Sequence, residues 1–199
     1  MSAPDILLAL VGLIECFESQ GIRYLVGGSV ASSVHGMPRA TLDVDLVADL
    51  EERHAAILEA RLRDNYYVDA EMIRDAVRTR TSFNVIHLHT MLKIDVFLLK
   101  DRAFDRESFG RGRPDTLEPQ APDARVFTVS TPEDVMLHKL EWYRLGNEVS
   151  ERQWLDVLGV IKVQGQMLDS AYLRRWAAVL GIEDLLERAL REAGFKSDK

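Results

Sequence analysis

Residues 41–47, Thr-Leu-Asp-Val-Asp-Leu-Val, set two aspartates two positions apart inside an apolar run. Successive side chains of a β-strand face opposite ways, so on a strand over 42–47 Asp43 and Asp45 share one face while Val44 and Leu46 enter a core on the other. A strand this apolar belongs near the middle of a sheet, where a carboxylate needs a partner. Two carboxylates so close repel each other unless a cation lies between them, and oxygen ligands suit a hard cation, Mg²⁺ above all. Upstream, Tyr24-Leu-Val ends in Gly27-Gly28-Ser29. A glycine turn between a strand and a helix presents backbone N–H groups suited to phosphate. Alone, each feature has an ordinary reading: Ser29 as the N-cap of a generic turn, and Asp43 and Asp45 as an exposed strand face. Together they point to nucleotide chemistry.

The lengths of the apolar runs limit the alternatives. None approaches the roughly 18 residues of a membrane span, and Met-Ser-Ala-Pro-Asp lacks the basic start of a signal peptide. The single cysteine, Cys16, excludes an intramolecular disulfide and reads as a core residue, so a cytoplasmic protein is expected. A net charge of −7 argues against a general nucleic-acid coat, which needs a basic face.

Periodicity predicts a helix over Asp5–Gln20 stopped by Gly21, a strand over Arg23–Val26, and a short helix over Ser29–His35 closed by Gly36. A loop at 37–40 leads to the Asp-x-Asp strand. A helix over Asp49–Arg63, a short strand at Tyr66–Val68 and a helix at Glu71–Arg78 follow. Phe83–His89 and Met91–Leu99 read as two strands reversing near Thr90, with His87 and His89 on one strand face. Arg102–Arg125, rich in charge with Gly110, Gly112, Pro114, Pro119 and Pro122, reads as a long surface loop. Val126–Val129 rejoins the sheet. Ser130-Thr-Pro-Glu133 and Ser150–Gln153 have capping-box spacing ahead of helices at Pro132–Leu145 and Glu151–Val163. Helices at Ser170–Leu180, begun by Asp169, and Ile182–Glu192 complete a helical region at 130–199 behind a core at 1–129.

Asp95 lies in the apolar strand Leu92-Lys-Ile-Asp-Val-Phe-Leu-Leu99. A lone carboxylate there is costly unless coordinated or at a wet edge. If the strands are neighbours, Asp95 joins Asp43 and Asp45, and three carboxylates suit two Mg²⁺ ions roughly 3.5–4 Å apart. Lys93 shares the face of Asp95 and can pair with the carboxylates.

Gly28-Ser29, thirteen intervening residues, Asp43-Val-Asp45 and a later strand Asp95 resemble the nucleotidyltransferase superfamily with the polymerase-β-like fold. Gly-Gly-Ser-x-Ala and Arg39-x-Thr41-x-Asp-x-Asp are most similar to minimal bacterial nucleotidyltransferases, including AbiEii-type toxins. The resemblance covers about residues 20–100. It implies an α/β (α+β) fold, a mixed sheet with flanking helices, and a C-terminal helical region closing a cleft. It also implies Mg²⁺-dependent transfer of a nucleoside monophosphate from an NTP to a hydroxyl. Asp43, Asp45 and Asp95 would be the catalytic and metal residues, and Gly27, Gly28 and Ser29 would cradle phosphates. Arg39 and Thr41 would line the nucleotide site, or Arg39 is an ordinary loop charge. Lys139 in His138-Lys-Leu-Glu-Trp-Tyr-Arg144 matches the family's helical lysine. Arg152 occupies the place of an Arg/Lys-Asp element but is followed by Gln153. Both are also readable as solvated helix charges.

The acceptor stays open: an RNA end, contacted by the arginines of 102–125, a protein side chain, or a small molecule such as an aminoglycoside. A cognate toxin or antitoxin partner is also implied. The rival reading is a non-catalytic nucleotide-binding or protein-interaction module on the same fold, which an exposed face of Trp154, Leu158, Tyr172 and Trp176 would favour.

Overall fold

The computed structural model describes residues 3–39, 41 and 43–195. Met1, Ser2, Ala40, Leu42 and residues 196–199 lie outside the described residues, so the expected N-terminus, the end of the 37–40 loop, the first strand position of the Asp-x-Asp run and the end of the 130–199 region are left there.

The chain begins with helix α1 (Ala3–Ser19), strand β1 (Tyr24–Val26) and helix α2 (Gly28–His35). Strand β2 (Asp43–Ala48), helix α3 (Ala55–Leu62), strand β3 (Tyr66–Tyr67) and helix α4 (Ala70–Thr79) follow. Next come strands β4 (Ser82–His87) and β5 (Leu92–Leu98), helix α5 (Ala103–Gly110), and strands β6 (Arg113–Thr116) and β7 (Val126–Val129). The chain ends in helices α6 (Pro132–Leu145), α7 (Glu151–Gln164), α8 (Ser170–Leu180) and α9 (Glu183–Glu192). Contacts divide it into two compact units, Met1–Val30 with Ala40–Val129, and Ala31–Arg39 with Ser130–Lys199.

The first unit holds a seven-stranded mixed sheet in the order β3-β4-β5-β2-β1-β7-β6. At its centre β2 runs parallel to β5 and antiparallel to β1. Alternation decides its faces. Val44, Leu46 and Ala48 of β2 and Ile94, Val96 and Leu98 of β5 are buried, while the residues between them are not. The apolar stripe of α1 (Leu10, Leu13, Ile14, Phe17) is fully buried, and each such side chain contributes roughly 1.5–3 kcal/mol. Cys16 is buried with it.

Three segments differ from the sequence expectation. Arg102–Arg125 is not a long loop, because Phe104 and Phe109 anchor α5 into the core and β6 pairs with β7. Pro114 is tolerated there since β6 is an edge strand, where a missing N–H breaks no inner ladder. The helix expected from Asp49 begins later. Asp49 N–H still donates to Arg23 O beyond the β1–β2 ladder, and Glu51 is an extended N-cap whose N–H donates to His54 Nδ1. A 3-10 turn over Glu52–His54 then leads into α3. In the β4–β5 hairpin, His87 pairs with Leu92, and Met91 turns at φ 54°. His89 therefore sits in the turn rather than on a strand face with His87.

The second unit is helical and its boundaries follow its caps. Thr131, one residue after the expected Ser130, accepts from Asp134 N–H. Ser150 accepts from Gln153 N–H and Asp169 from Tyr172 N–H. The fully buried Asp134 is satisfied by hydroxyls, with Thr131 Oγ1 and Tyr172 OH both donating to its carboxylate. Trp154, Tyr172 and Trp176 are buried and Leu158 is half-buried, so the four do not form the exposed docking face that a protein-interaction module would use.

Candidate active site

The sheet centre assembles the acidic face inside the first unit. Asp45 and Asp95 are direct partners across the parallel β2–β5 pair, and Asp43 is likewise the partner of Lys93. Neighbouring strands lie about 4.8 Å apart, so these four side chains form one block on one face. Lys93 Nζ donates to Asp95 Oδ2 at 2.7 Å, with Lys93 45% exposed and Asp95 16%. That hydrogen bond, reinforced by the charges of Asp95, Asp43 and Asp45, raises the Lys93 pKa above its ordinary value against a weaker effect of burial. Thr41, itself buried, places its hydroxyl 3.0 Å from both Asp43 Oδ1 and Asp43 O, so it orients the first carboxylate.

The glycine turn closes on the same block. Gly27 N–H donates to Asp45 O at 2.9 Å, extending the β1–β2 ladder by one bond. Gly28 has φ +54°, and a Cβ built on it would lie 1.7 Å from Asp45 Oδ2. Only glycine brings the backbone this close to the carboxylate. Helix α2 starts at Gly28, so Ser29 lies in its first turn, where N–H groups and the helix dipole favour anions. Gly28→Ala combines a positive φ with a collision against Asp45. It should lower the melting temperature by several degrees, corresponding to about 1–3 kcal/mol, and displace Asp45. A thermal melt equal to wild type would show that the turn yields without strain.

The donor chemistry of this face fits a hard divalent cation: three carboxylates, all oxygen, with an ammonium already standing in as counter-ion on Asp95. As they stand, no three His, Cys, Asp or Glu side chains among the described residues converge closely enough to hold a metal ion.

Arg39, Lys139 and Arg152 fall in the second unit. There Asp156 is the hub, a residue that the sequence reading passed over. Arg39 donates to it through Nε and Nη2, both at 2.6 Å, and Lys139 Nζ donates at 2.8 Å. Asp156 is 6% exposed, Lys139 8% and Arg39 26%. Burial alone would raise the Asp156 pKa, but the hydrogen bonds from Arg39 and Lys139 and their two charges hold it below the ordinary carboxylate value. Arg39 is thus part of an ion network rather than a loop charge. Arg152 lies exposed on α7, one turn before Asp156.

A mixed sheet with a glycine turn entering a helix beside carboxylates on adjacent strands is the nucleotidyltransferase fold. The chain is similar to ANT(2'')-Ia in complex with adenylyl-2''-tobramycin, over 90% of its own length and 98% of that chain, with a TM-score of 0.54 and 12% identity. The solution structure of ANT(2'')-Ia, an antibiotic-resistance factor, is similar over 89% and 96%, with a TM-score of 0.51 and 14% identity. An antigenic nucleotidyltransferase-like protein from Paracoccidioides brasiliensis is similar over 94% and 93%, also with a TM-score of 0.51 and 14% identity. No protein-family model matches the chain, and no curated protein matches it in sequence. No helix among the described residues is long and apolar enough to cross a membrane.

Proposed function

We propose that the protein is a divalent-cation-dependent nucleotidyltransferase that moves a nucleoside monophosphate from an NTP to a hydroxyl acceptor and releases pyrophosphate. The observation that carries this is the pairing of Asp45 with Asp95 across β2 and β5, with Gly28 seated against the Asp45 carboxylate. Asp43 and Asp45 would hold the cation, Mg²⁺ by donor type, and Asp95 would complete the acidic face. A bound cation would neutralise triphosphate charge and favour ionisation of the attacking hydroxyl. Gly28 and Ser29 would bind phosphate oxygens through backbone N–H groups of the α2 turn, Gly27, whose N–H is taken by Asp45 O, shapes that turn instead, and Thr41 fixes the Asp43 carboxylate. With the groups so placed, the acceleration comes from positioning and charge compensation. A nucleotide-binding role for Arg39, Lys139 and Arg152 rests on the sequence resemblance, and Arg39 and Lys139 are both bound to Asp156.

Among acceptors, a small-molecule hydroxyl is favoured. ANT(2'')-Ia, whose adenylylated product with tobramycin is known in structure, is similar over nearly all of its length. An RNA acceptor loses support because three of the five arginines at 102–125 are held in ion pairs: Arg102 with Asp105, Arg106 with Asp101, and Arg125 with Glu18. A toxin or antitoxin role rests on the sequence resemblance alone.

The test is calorimetric titration of ATP, GTP, CTP and UTP into the protein with and without Mg²⁺, beside Asp43→Asn. Binding of at least one nucleotide should require Mg²⁺ and weaken at least tenfold in Asp43→Asn, equivalent to about 1.4 kcal/mol. Binding indifferent to both Mg²⁺ and the substitution would overturn the reading.

A further inference from the structure

Lys93 is an unusual neighbour for a metal-binding face. It is the register partner of Asp43, stands two residues before Asp95 on the same side of β5, and donates to Asp95 Oδ2 at 2.7 Å. The block of Asp43, Asp45, Asp95 and Lys93 therefore carries three negative charges and one tethered positive charge. Before any nucleotide enters, two divalent ions would overcompensate those three carboxylates by one charge, and by two once Lys93 is included. One divalent ion with Lys93 balances them. Lys93 already occupies a lone pair of Asp95 Oδ2, so a second ion there would share that oxygen with the ammonium, and no three His, Cys, Asp or Glu side chains among the described residues converge on a metal.

We infer that Lys93 is the built-in second cation of this site, so that the face takes a single divalent ion on Asp43 and Asp45 while the Lys93 ammonium holds Asp95. This rests on the transferase reading and revises the expectation of two ions. Lys93 acts through Asp95 and is a positioning residue that sets metal stoichiometry.

The test counts ions without requiring turnover. Mn²⁺ alone is titrated into wild type, Lys93→Met, Lys93→Arg and Asp43→Asn, with free Mn²⁺ read by electron paramagnetic resonance and folding checked by thermal melts. Wild type should bind one Mn²⁺ that Asp43→Asn loses. Lys93→Met should bind a second ion, or bind the first at least tenfold more tightly, and Lys93→Arg should restore the wild-type count. Two ions on wild type, or a Lys93→Met titration that superposes on it, would overturn the Lys93 assignment and leave the metal site standing. No Mn²⁺ on wild type or on Lys93→Met would overturn both.

Discussion

Asp45→Asn should reduce nucleotidyl transfer about 10³-fold or more, measured as pyrophosphate release across a panel of hydroxyl acceptors, and should leave the melting temperature nearly unchanged. The separation of the two readouts follows from where Asp45 sits. Its backbone is locked in the β1–β2–β5 ladder, with its carbonyl bound by Gly27 N–H and its Cα in register with Asp95. Asparagine keeps that ladder and the volume that Gly28 packs against, so the fold has little reason to respond. The charge is what disappears. Asp45 is the middle carboxylate of the block, with Asp43 two residues before it and Asp95 across the strand. It is therefore the group whose charge both cation binding and the phosphate turn depend on most. Removing one preorganised electrostatic group from a reaction centre typically costs about 10²–10³ in rate, or about 3–4 kcal/mol, and a metal-binding anion belongs at or beyond the upper end. Full transfer by Asp45→Asn would remove the acidic face from the chemistry. A matching fall in melting temperature would instead make Asp45 a folding residue.

What could be read in advance depended on how local its cause was. The faces of β2 and β5 were legible because strand alternation is a two-residue rule, and Val44, Leu46, Ile94 and Val96 are buried as it requires. The bounds of helices α6 and α8 were legible because Pro132 and Asp169 are local start signals, although the α6 cap is Thr131 and not the expected Ser130. Helix α5 and strand β6 were not. Phe104 and Phe109 are sparse anchors among many charges, and β6 exists because β7 offers it a partner. The 3-10 entry to α3 depends on Arg23, far back in the chain, holding Asp49 in an extended ladder. Asp156 was missed for the same reason in stronger form. Its partners are Arg39, 117 residues earlier, and Lys139, 17 residues earlier, and no window on α7 contains either. Only the conversion of those separations into hydrogen bonds makes it a hub.

That hub carries the largest stability effect expected in the molecule. Asp156→Ala leaves a buried ammonium and a largely buried guanidinium facing each other without the carboxylate that both donate to. Removing one partner of a buried ion pair destabilises by about 3–5 kcal/mol, because the remaining charge stays desolvated and unpaired. Here the ammonium and the guanidinium both lose the carboxylate they donate to, which places the expected value in the upper part of that range. Urea unfolding at pH 7 should show a lowered midpoint at unchanged slope. The pH dependence separates the ion network from simple packing. The folded Asp156 carboxyl is held below its unfolded value of about 3.9, so its contribution is complete above that pH and is lost as pH falls through the lower folded value. Between neutral pH and about pH 5 wild type and variant should differ by a constant amount. Below about pH 4 the gap should narrow, because wild type then gives up what the variant never had. Asp156→Asn, which keeps volume and acceptor oxygen but no charge, should fall between the two at neutral pH and approach wild type in acid. A gap that persists undiminished to pH 2 would mean that Asp156 stabilises α7 by shape, and that Arg39 and Lys139 do not depend on its charge.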